Sequence, residues 1–84
     1  MSAEKRTVSV PSAEITARMF GAFDANIKLV ERAFSVVIRN RGTSTDGADM
    51  LTVEGENEMQ IASAVKALEA MRRIAAEAES VPEQ

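Results

Sequence analysis

The sequence contains no cysteine, histidine, tryptophan or tyrosine. A disulfide framework, a zinc finger, a thiol nucleophile and a histidine-based catalytic triad are therefore all excluded. No apolar run approaches the roughly 20 residues that a membrane-spanning helix needs. The first residues also lack the apolar stretch of a signal peptide. We expect a cytoplasmic domain with no membrane partner, whose fold rests on its apolar core alone.

The 84 residues suffice for one small domain. Hydrophobic residues make up 45% and charged residues 27%, a composition typical of a folded protein rather than a disordered tail. Residues 1–41 carry seven basic and four acidic side chains, whereas residues 42–84 carry three basic and nine acidic ones. This asymmetry permits a basic face despite the net charge of −3. The alternative is a solvated surface of mixed charge.

Hydrophobic periodicity predicts three strands and three helices. The strands alternate polar with apolar residues, and the helices repeat apolar residues at intervals of three and four. The predicted strands are residues 7–10, 35–41 and 50–54, and the predicted helices are residues 12–21 with their caps, 25–33 and 57–79. Ser12, Asp24 and Asn57 are the expected helix N-caps, and Gly21 is expected to end the first helix. The last helix is too long for a small sheet to cover, so its final turns, with Arg72 and Arg73, should project past the core.

The predicted order β-α-α-β-β-α describes a two-layer α+β domain. About eight residues, 42–49, join the second strand to the third, and a parallel crossover needs a dozen or more, so these strands should be antiparallel. The sheet then has one apolar face, which the helices must cover. Residues 1–80 form this domain, and residues 81–84 have the composition of an interdomain linker.

No arrangement of residues in the sequence indicates catalysis. Neither a GxxxxGK[ST] nor a GxGxxG pattern is present, and no histidine stands ready to activate a serine. The carboxylates Glu54, Glu56 and Glu58 lie where a strand ends and a helix begins, a place where acidic residues favour the helix dipole. We therefore predict no catalytic residue, no metal site and no cofactor in this chain.

The segment at residues 19–41, MFGAFDANIKLVERAFSVVIRNR, resembles the nucleic-acid-binding core of a type I KH domain. In that family a GxxG loop between two helices grips the backbone of about four nucleotides. Gly21-Ala22-Phe23-Asp24 occupies the loop position, with Asp24 in place of the second glycine. A carboxylate there repels phosphate and could cap the second helix. The resemblance implies a type I KH-like fold, with a three-stranded antiparallel sheet and helices on one face, that binds single-stranded RNA.

Nucleic-acid contacts are expected from the loop, the start of the second helix and nearby basic residues. The candidates are Arg18, Gly21, Ala22, Phe23, Asp24, Asn26, Ile27, Lys28, Arg39 and Arg41. The alternative is that Gly21 merely ends a helix, Phe23 packs into the core and the arginines are solvated. With Phe23 as the one loop aromatic, base stacking should be weak, and binding of about micromolar affinity or poorer should depend strongly on salt.

A second resemblance, over residues 15–75, is to the N-terminal domain of PhoH-like proteins. The matching residues are Gly21, Phe23, Asp24, Asn26, Glu31, Arg41, Gly42, Gly55 and Ala62. The 42–49 loop is longer than that family's pattern. The resemblance implies a bacterial P-loop ATPase associated with phosphate starvation, whose ATP and Mg²⁺ bind outside these residues. It also makes Asp24 a residue typical of the family rather than a lost glycine.

A protein–protein or oligomerisation module is the alternative function. Apolar residues in the last turns of the final helix, beyond the expected sheet, could dock on the protein's own ATPase domain or on a neighbouring subunit. The candidates for this interaction are Met71, Arg72, Ile74, Ala75 and Ala78. A solvated helix end is the simpler interpretation of the same pattern.

Overall fold

The computed structural model describes residues 4–43 and 47–80, with side chains described as far as residue 77. The elements are β1 (Glu4–Val10), α1 (Ala13–Phe20), α2 (Ala25–Phe34), β2 (Val37–Thr43), β3 (Asp49–Gly55) and α3 (Glu58–Ser80), and a 3₁₀ turn at Ala22–Asp24 joins α1 to α2. The predicted element order is confirmed. The predicted linker at residues 81–84, the side chain of Ala78 and the middle of the 42–49 loop lie outside the described residues.

The three strands form one antiparallel sheet in the order β1-β3-β2. Side chains of the central strand alternate between the two faces, so Leu51 and Val53 are buried while Thr52 and Glu54 face outward. All three helices cover the buried face. The predicted fold, a two-layer α+β domain with helices on one side of an antiparallel sheet, is confirmed.

The second strand begins later than its β-branched residues predict. Ser35 adopts a left-handed conformation with φ 56° and ends α2, and the carbonyl oxygen of Glu31 accepts hydrogen bonds from the backbone N–H groups of Ser35 and Val36. The strand pairing therefore starts at Val37. Alternation along residues 35–41 predicts that Val36 and Ile38 share one face of the strand, and both are buried.

A bulge distorts the far end of β2. Asn40 is paired with Leu51 and Thr43 with Asp49, so β2 contains one residue more than β3 between these pairs. Gly42 has φ 103°, and its N–H donates to Asn40 Oδ1 at 2.9 Å. The bulge brings the side chains of Asn40 and Thr43 close to Asp49, the first residue of β3.

The core is built from aliphatic residues of every strand and helix. Its buried members are Val8, Val10, Ile15, Met19, Ile27, Val30, Val36, Ile38, Leu51, Val53, Ile61, Ala64, Leu68 and Ala75. Ser12 caps α1 as predicted, because its Oγ accepts from the N–H of Ile15 at 3.2 Å. Asn57 caps α3, its Oδ1 accepting from Met59 at 2.8 Å and from Gln60 at 3.2 Å.

The prediction that the last turns of α3 project past the core is wrong as far as Ala75. Ala75 is buried, and its carbonyl oxygen accepts a long hydrogen bond, 3.5 Å, from Arg18 Nη1 on α1. Arg72 Nη1 donates to the carbonyl oxygen of Ser9 at 2.7 Å. Because α3 packs on α1 as well as on the sheet, the domain supports it further than the sheet alone would. None of the helices in residues 4–43 and 47–80 combines the length and apolarity that a membrane crossing requires.

Candidate nucleic-acid interface

The turn between α1 and α2 depends on the glycine that begins it. Gly21 has φ 77° and ψ −179°, a combination that is essentially confined to glycine. A Cβ atom at this position would lie 2.6 Å from Asn26 Nδ2. The backbone then turns tightly, with the N–H of Asp24 donating to the carbonyl oxygen of Gly21 at 3.2 Å. Gly21 thus ends α1, as predicted, and also makes room for the first turn of α2.

Phe23 points into solvent at the tip of this turn. Its side chain is 94% exposed, so the alternative that Phe23 packs into the core is wrong. Phe23 and Asp24 both have left-handed backbone conformations, with φ 54° and 60°. Such conformations are uncommon in residues other than glycine and tend to occur at functional sites. The turn therefore presents one bare aromatic ring to solvent.

Asp24 does not cap α2, contrary to the prediction. A capping side chain normally extends from a backbone in the β region, whereas Asp24 has φ 60° and ψ 26° and makes no capping hydrogen bond. Its carboxylate instead borders a neighbouring groove.

This groove, which we call the α1–β2 groove, runs between α1 and the end of the sheet and has a volume of about 350 Å³. Its lining residues are Ala13, Thr16, Ala17, Phe20, Gly21, Asp24, Asn40 and Asp49. Within the described part of the chain, no lysine or arginine is among them. The groove therefore combines a small apolar floor with two carboxylates.

Asp49 lies almost completely buried in this groove, with 4% of its surface exposed. Thr43 Oγ1 donates to Asp49 Oδ1 at 2.8 Å. Hydrogen bonding by the side chains of Thr16, Thr43 and Asn40, in decreasing order of effect, lowers the pKa of Asp49, although burial opposes the shift. This cluster could not be predicted from the sequence, because its members come from α1, β2 and β3 and converge only in the fold.

The sequence candidates do not form one surface. Arg18 is not among the residues that line the α1–β2 groove, and Lys28 and Ala22 are exposed. Ile27 is a core residue. Arg18 instead borders a second, mostly apolar groove of about 280 Å³ between α1 and α3, which we call the α1–α3 groove. Its lining residues are Arg18, Met19, Asn26, Met71, Ile74 and Ala75.

Arg39 and Arg41 lie on a third surface, the outer face of the sheet. There they line a polar depression of about 240 Å³ together with Lys5, Thr52 and Glu54. We call these five residues the basic sheet face. In the strand register, Lys5 lies opposite Glu54 and Arg39 lies opposite Thr52. Alternation along each strand turns these side chains away from the core. The contribution of Lys5 was not expected from the sequence.

Solved structures with the same fold are KH type I domains. The chain is similar to the 14th KH type I domain of human Vigilin, with a TM-score of 0.68 and 23% identity over 95% of this chain and 83% of that one. It is also similar to the 1st KH type I domain of human Vigilin, with a TM-score of 0.63 and 15% identity over 96% of this chain and 82% of that one. No protein-family model matches the sequence, and no curated protein matches it. The chain therefore has the fold of a type I KH domain.

Proposed function

We propose that this chain is a nucleic-acid-binding module that binds single-stranded RNA. The observation that carries the proposal is the bare Phe23 ring, 94% exposed, on the turn that occupies the position of the KH gripping loop. KH domains hold single strands at this loop, and aromatic side chains stack on unpaired bases. Phe23 offers such a stacking surface beside the α1–β2 groove.

The polar groups of the groove suit bases better than phosphates. Asp24 and Asp49 are carboxylates, which repel a phosphate but accept hydrogen bonds from the amino groups of adenine, cytosine and guanine. Asp49 already accepts from Thr43 Oγ1, so Asp24 is the carboxylate that we expect to contact a base. The strand is thus expected to place its bases, rather than its backbone, at the turn.

A tryptophan at position 23 tests the stacking role directly. The chain contains no tryptophan, so Phe23→Trp introduces one fluorophore at the tip of the turn. We expect a mixed single-stranded RNA octamer to quench its emission, because a stacked base contacts the indole ring. Met59→Trp is the matched control, since Met59 is also exposed (79%) but lies in the first turn of α3. Equal quenching at both positions, or none at either, would contradict the proposal.

Phe23→Ala should weaken RNA binding without unfolding the domain. Stacking contributes about 1–3 kcal/mol per base, so the dissociation constant should rise at least about fivefold. Loss of an exposed ring should change the free energy of unfolding by less than about 0.5 kcal/mol. Fluorescence anisotropy with a labelled octamer measures the first quantity and chemical denaturation the second.

We also propose that the domain is the N-terminal part of a PhoH-like protein, in which a P-loop ATPase domain supplies the ATP and Mg²⁺ sites. The spacing of Gly21, Phe23, Asp24 and Asn26 supports this proposal, as does the close approach of Asn26 to Gly21. The reading frame that encodes this chain should then contain a downstream GxxxxGK[ST] segment. A frame without such a segment would contradict the assignment.

Self-association through α3 is the second candidate function. Ile74 is 65% exposed and borders the α1–α3 groove, so a neighbouring copy of the chain could cover it. Met71 and Ala75 are already partly or fully packed in the domain's own core, which leaves Ile74 as the accessible apolar residue among the described candidates. Sedimentation velocity should then show a dimer that Ile74→Asp dissociates, and a monomeric wild-type chain at millimolar concentration would rule this function out.

A further inference from the structure

The outer face of the sheet carries three cationic side chains that have no partner within the described residues. Lys5, Arg39 and Arg41 belong to the basic sheet face, and none of the three makes a side-chain hydrogen bond or ion pair in residues 4–43 and 47–80. Arg6 differs, because its Nη2 lies 3.6 Å from Glu58 Oε2. As far as the described residues go, these three cations are available to an external anion.

Charge separates the two sides of the sheet. Glu54 is the one carboxylate of the basic sheet face, against three cations. The α1–β2 groove has the reverse composition, with Asp24 and Asp49 and no cation among its lining residues. A polyanion is consequently attracted to the outer face and repelled from the groove.

The two surfaces share one strand. Asn40 forms part of the groove wall, while its neighbours Arg39 and Arg41 line the basic sheet face. Among the described strands, β2 lies at the edge of the sheet and pairs with β3. Successive side chains of a strand point to opposite faces, so a nucleic-acid chain that passes round the β2 edge can contact both the groove and the arginines.

We propose that the basic sheet face binds the phosphate groups of a single strand whose bases lie in the α1–β2 groove. The assignment of RNA as the ligand rests on the proposed function, whereas the anion site itself rests on the three cations that line one depression. Thr52, at the centre of the face, adds a hydroxyl donor. The backbone of the strand is thereby held on the side of the sheet opposite to the helices.

Removing the carboxylate of Glu54 should strengthen binding, a result that unfolding cannot produce. Glu54→Gln should lower the dissociation constant for the RNA octamer by about threefold, because one repulsive charge beside the phosphates is lost. Glu69→Gln is the matched control, with the same charge change at an exposed position on α3. Equal tightening in both variants would overturn the proposal, since it would report net charge alone.

Removing the arginines should weaken binding and reduce its salt dependence. The slope of log K against log salt is about 0.7 per phosphate contact for a single strand, so Arg39→Gln with Arg41→Gln should reduce it by about 1.4. The control is Arg32→Gln with Arg73→Gln, which removes two exposed charges from α2 and α3. An unchanged slope in the first pair, or an equal change in both, would overturn the proposal.

Inorganic tripolyphosphate separates this inference from the proposed function. In ¹⁵N-amide NMR we expect it to shift the signals of Lys5, Arg39, Arg41 and Thr52 in the wild type, but not in the Arg39→Gln/Arg41→Gln variant. Those shifts without RNA binding would support the anion site and contradict the RNA function. RNA binding with no tripolyphosphate shift at these residues would overturn the anion site and leave the RNA function standing.

Discussion

The turn between α1 and α2 should depend on the absence of a side chain at Gly21, which a substitution by alanine tests. Gly21→Ala must adopt φ 77° and also place its Cβ 2.6 Å from Asn26 Nδ2. We expect it to reduce the free energy of unfolding by about 1–3 kcal/mol, measured by urea denaturation. Gly47→Ala is the matched control, because Gly47 has φ 91° with nothing within 4 Å. A smaller loss at Gly21 than at Gly47 would contradict the steric part of this explanation.

Asp49 should make the domain sensitive to acid. The pKa of Asp49 in the folded state lies below the ordinary value of 3.8. The ionised carboxylate therefore stabilises the fold fully when the pH is above the pKa of an aspartate in the unfolded chain. This stabilisation is lost as the pH falls through the lowered pKa. The free energy of unfolding should therefore decrease on acidification below about pH 5.

Two variants assign this acid sensitivity to Asp49. In Asp49→Asn the free energy of unfolding should fall less on acidification, because position 49 no longer titrates. Thr43→Val should also make this fall smaller, because it removes a hydrogen bond that lowers the pKa of Asp49. Urea denaturation from pH 7 down to about 2.5 measures both effects. A profile for Asp49→Asn that runs parallel to that of the wild type would show that other carboxyls dominate.

The buried face of the long helix α3 was only partly predictable from the sequence. Its apolar spacing correctly predicts a long helix with Ile61 and Leu68 in the core, and leaves open whether Ala64 or Val65 joins them; Ala64 does. Spacing alone did not decide between Ile74 and Ala75, because both lie near the same stripe. Packing decides in favour of Ala75, since α1 approaches closely enough for Arg18 to reach its carbonyl oxygen.

The orientation of α3 can be tested with two large-to-small substitutions. Leu68 is fully buried, so Leu68→Ala should reduce the free energy of unfolding by about 2–5 kcal/mol. Ile74→Ala removes a side chain that is largely exposed and should change it by less than about 0.5 kcal/mol. Chemical denaturation compares the two variants. If Ile74→Ala lowered the free energy of unfolding more than Leu68→Ala, the face of α3 that carries Ile74 would be the buried one, which would contradict the structure.

The candidate site was less predictable than the fold, for physical reasons. Strand alternation correctly placed Val37, Arg39 and Arg41 on the face opposite to Val36 and Ile38. The left-handed backbone at Phe23 and Asp24 was not predictable, since neither residue type favours it as strongly as glycine does. The cluster around Asp49 depends on contacts between distant segments, which local periodicity does not report.

At the scale of the whole molecule, the charge asymmetry of the sequence becomes an asymmetry between the faces of the sheet. Lys5, Arg39 and Arg41, which belong to the basic first half of the sequence, lie on the outer face. The groove beside the helices holds Asp24 and Asp49. A single strand that binds this domain should therefore present its bases to the groove and its phosphates to the basic sheet face.

An NMR titration can show whether the turn and the basic sheet face bind one nucleic-acid strand together. ¹⁵N-amide spectra are recorded with a mixed single-stranded RNA octamer at low and at moderate salt. We predict shifts in two groups of signals, the turn and groove (Gly21, Phe23, Asp24) and the β2 strand (Arg39, Arg41), and we expect both to weaken as salt rises. A flat spectrum at millimolar RNA, or shifts confined to residues 71–75 of α3, would contradict nucleic-acid binding by this KH fold.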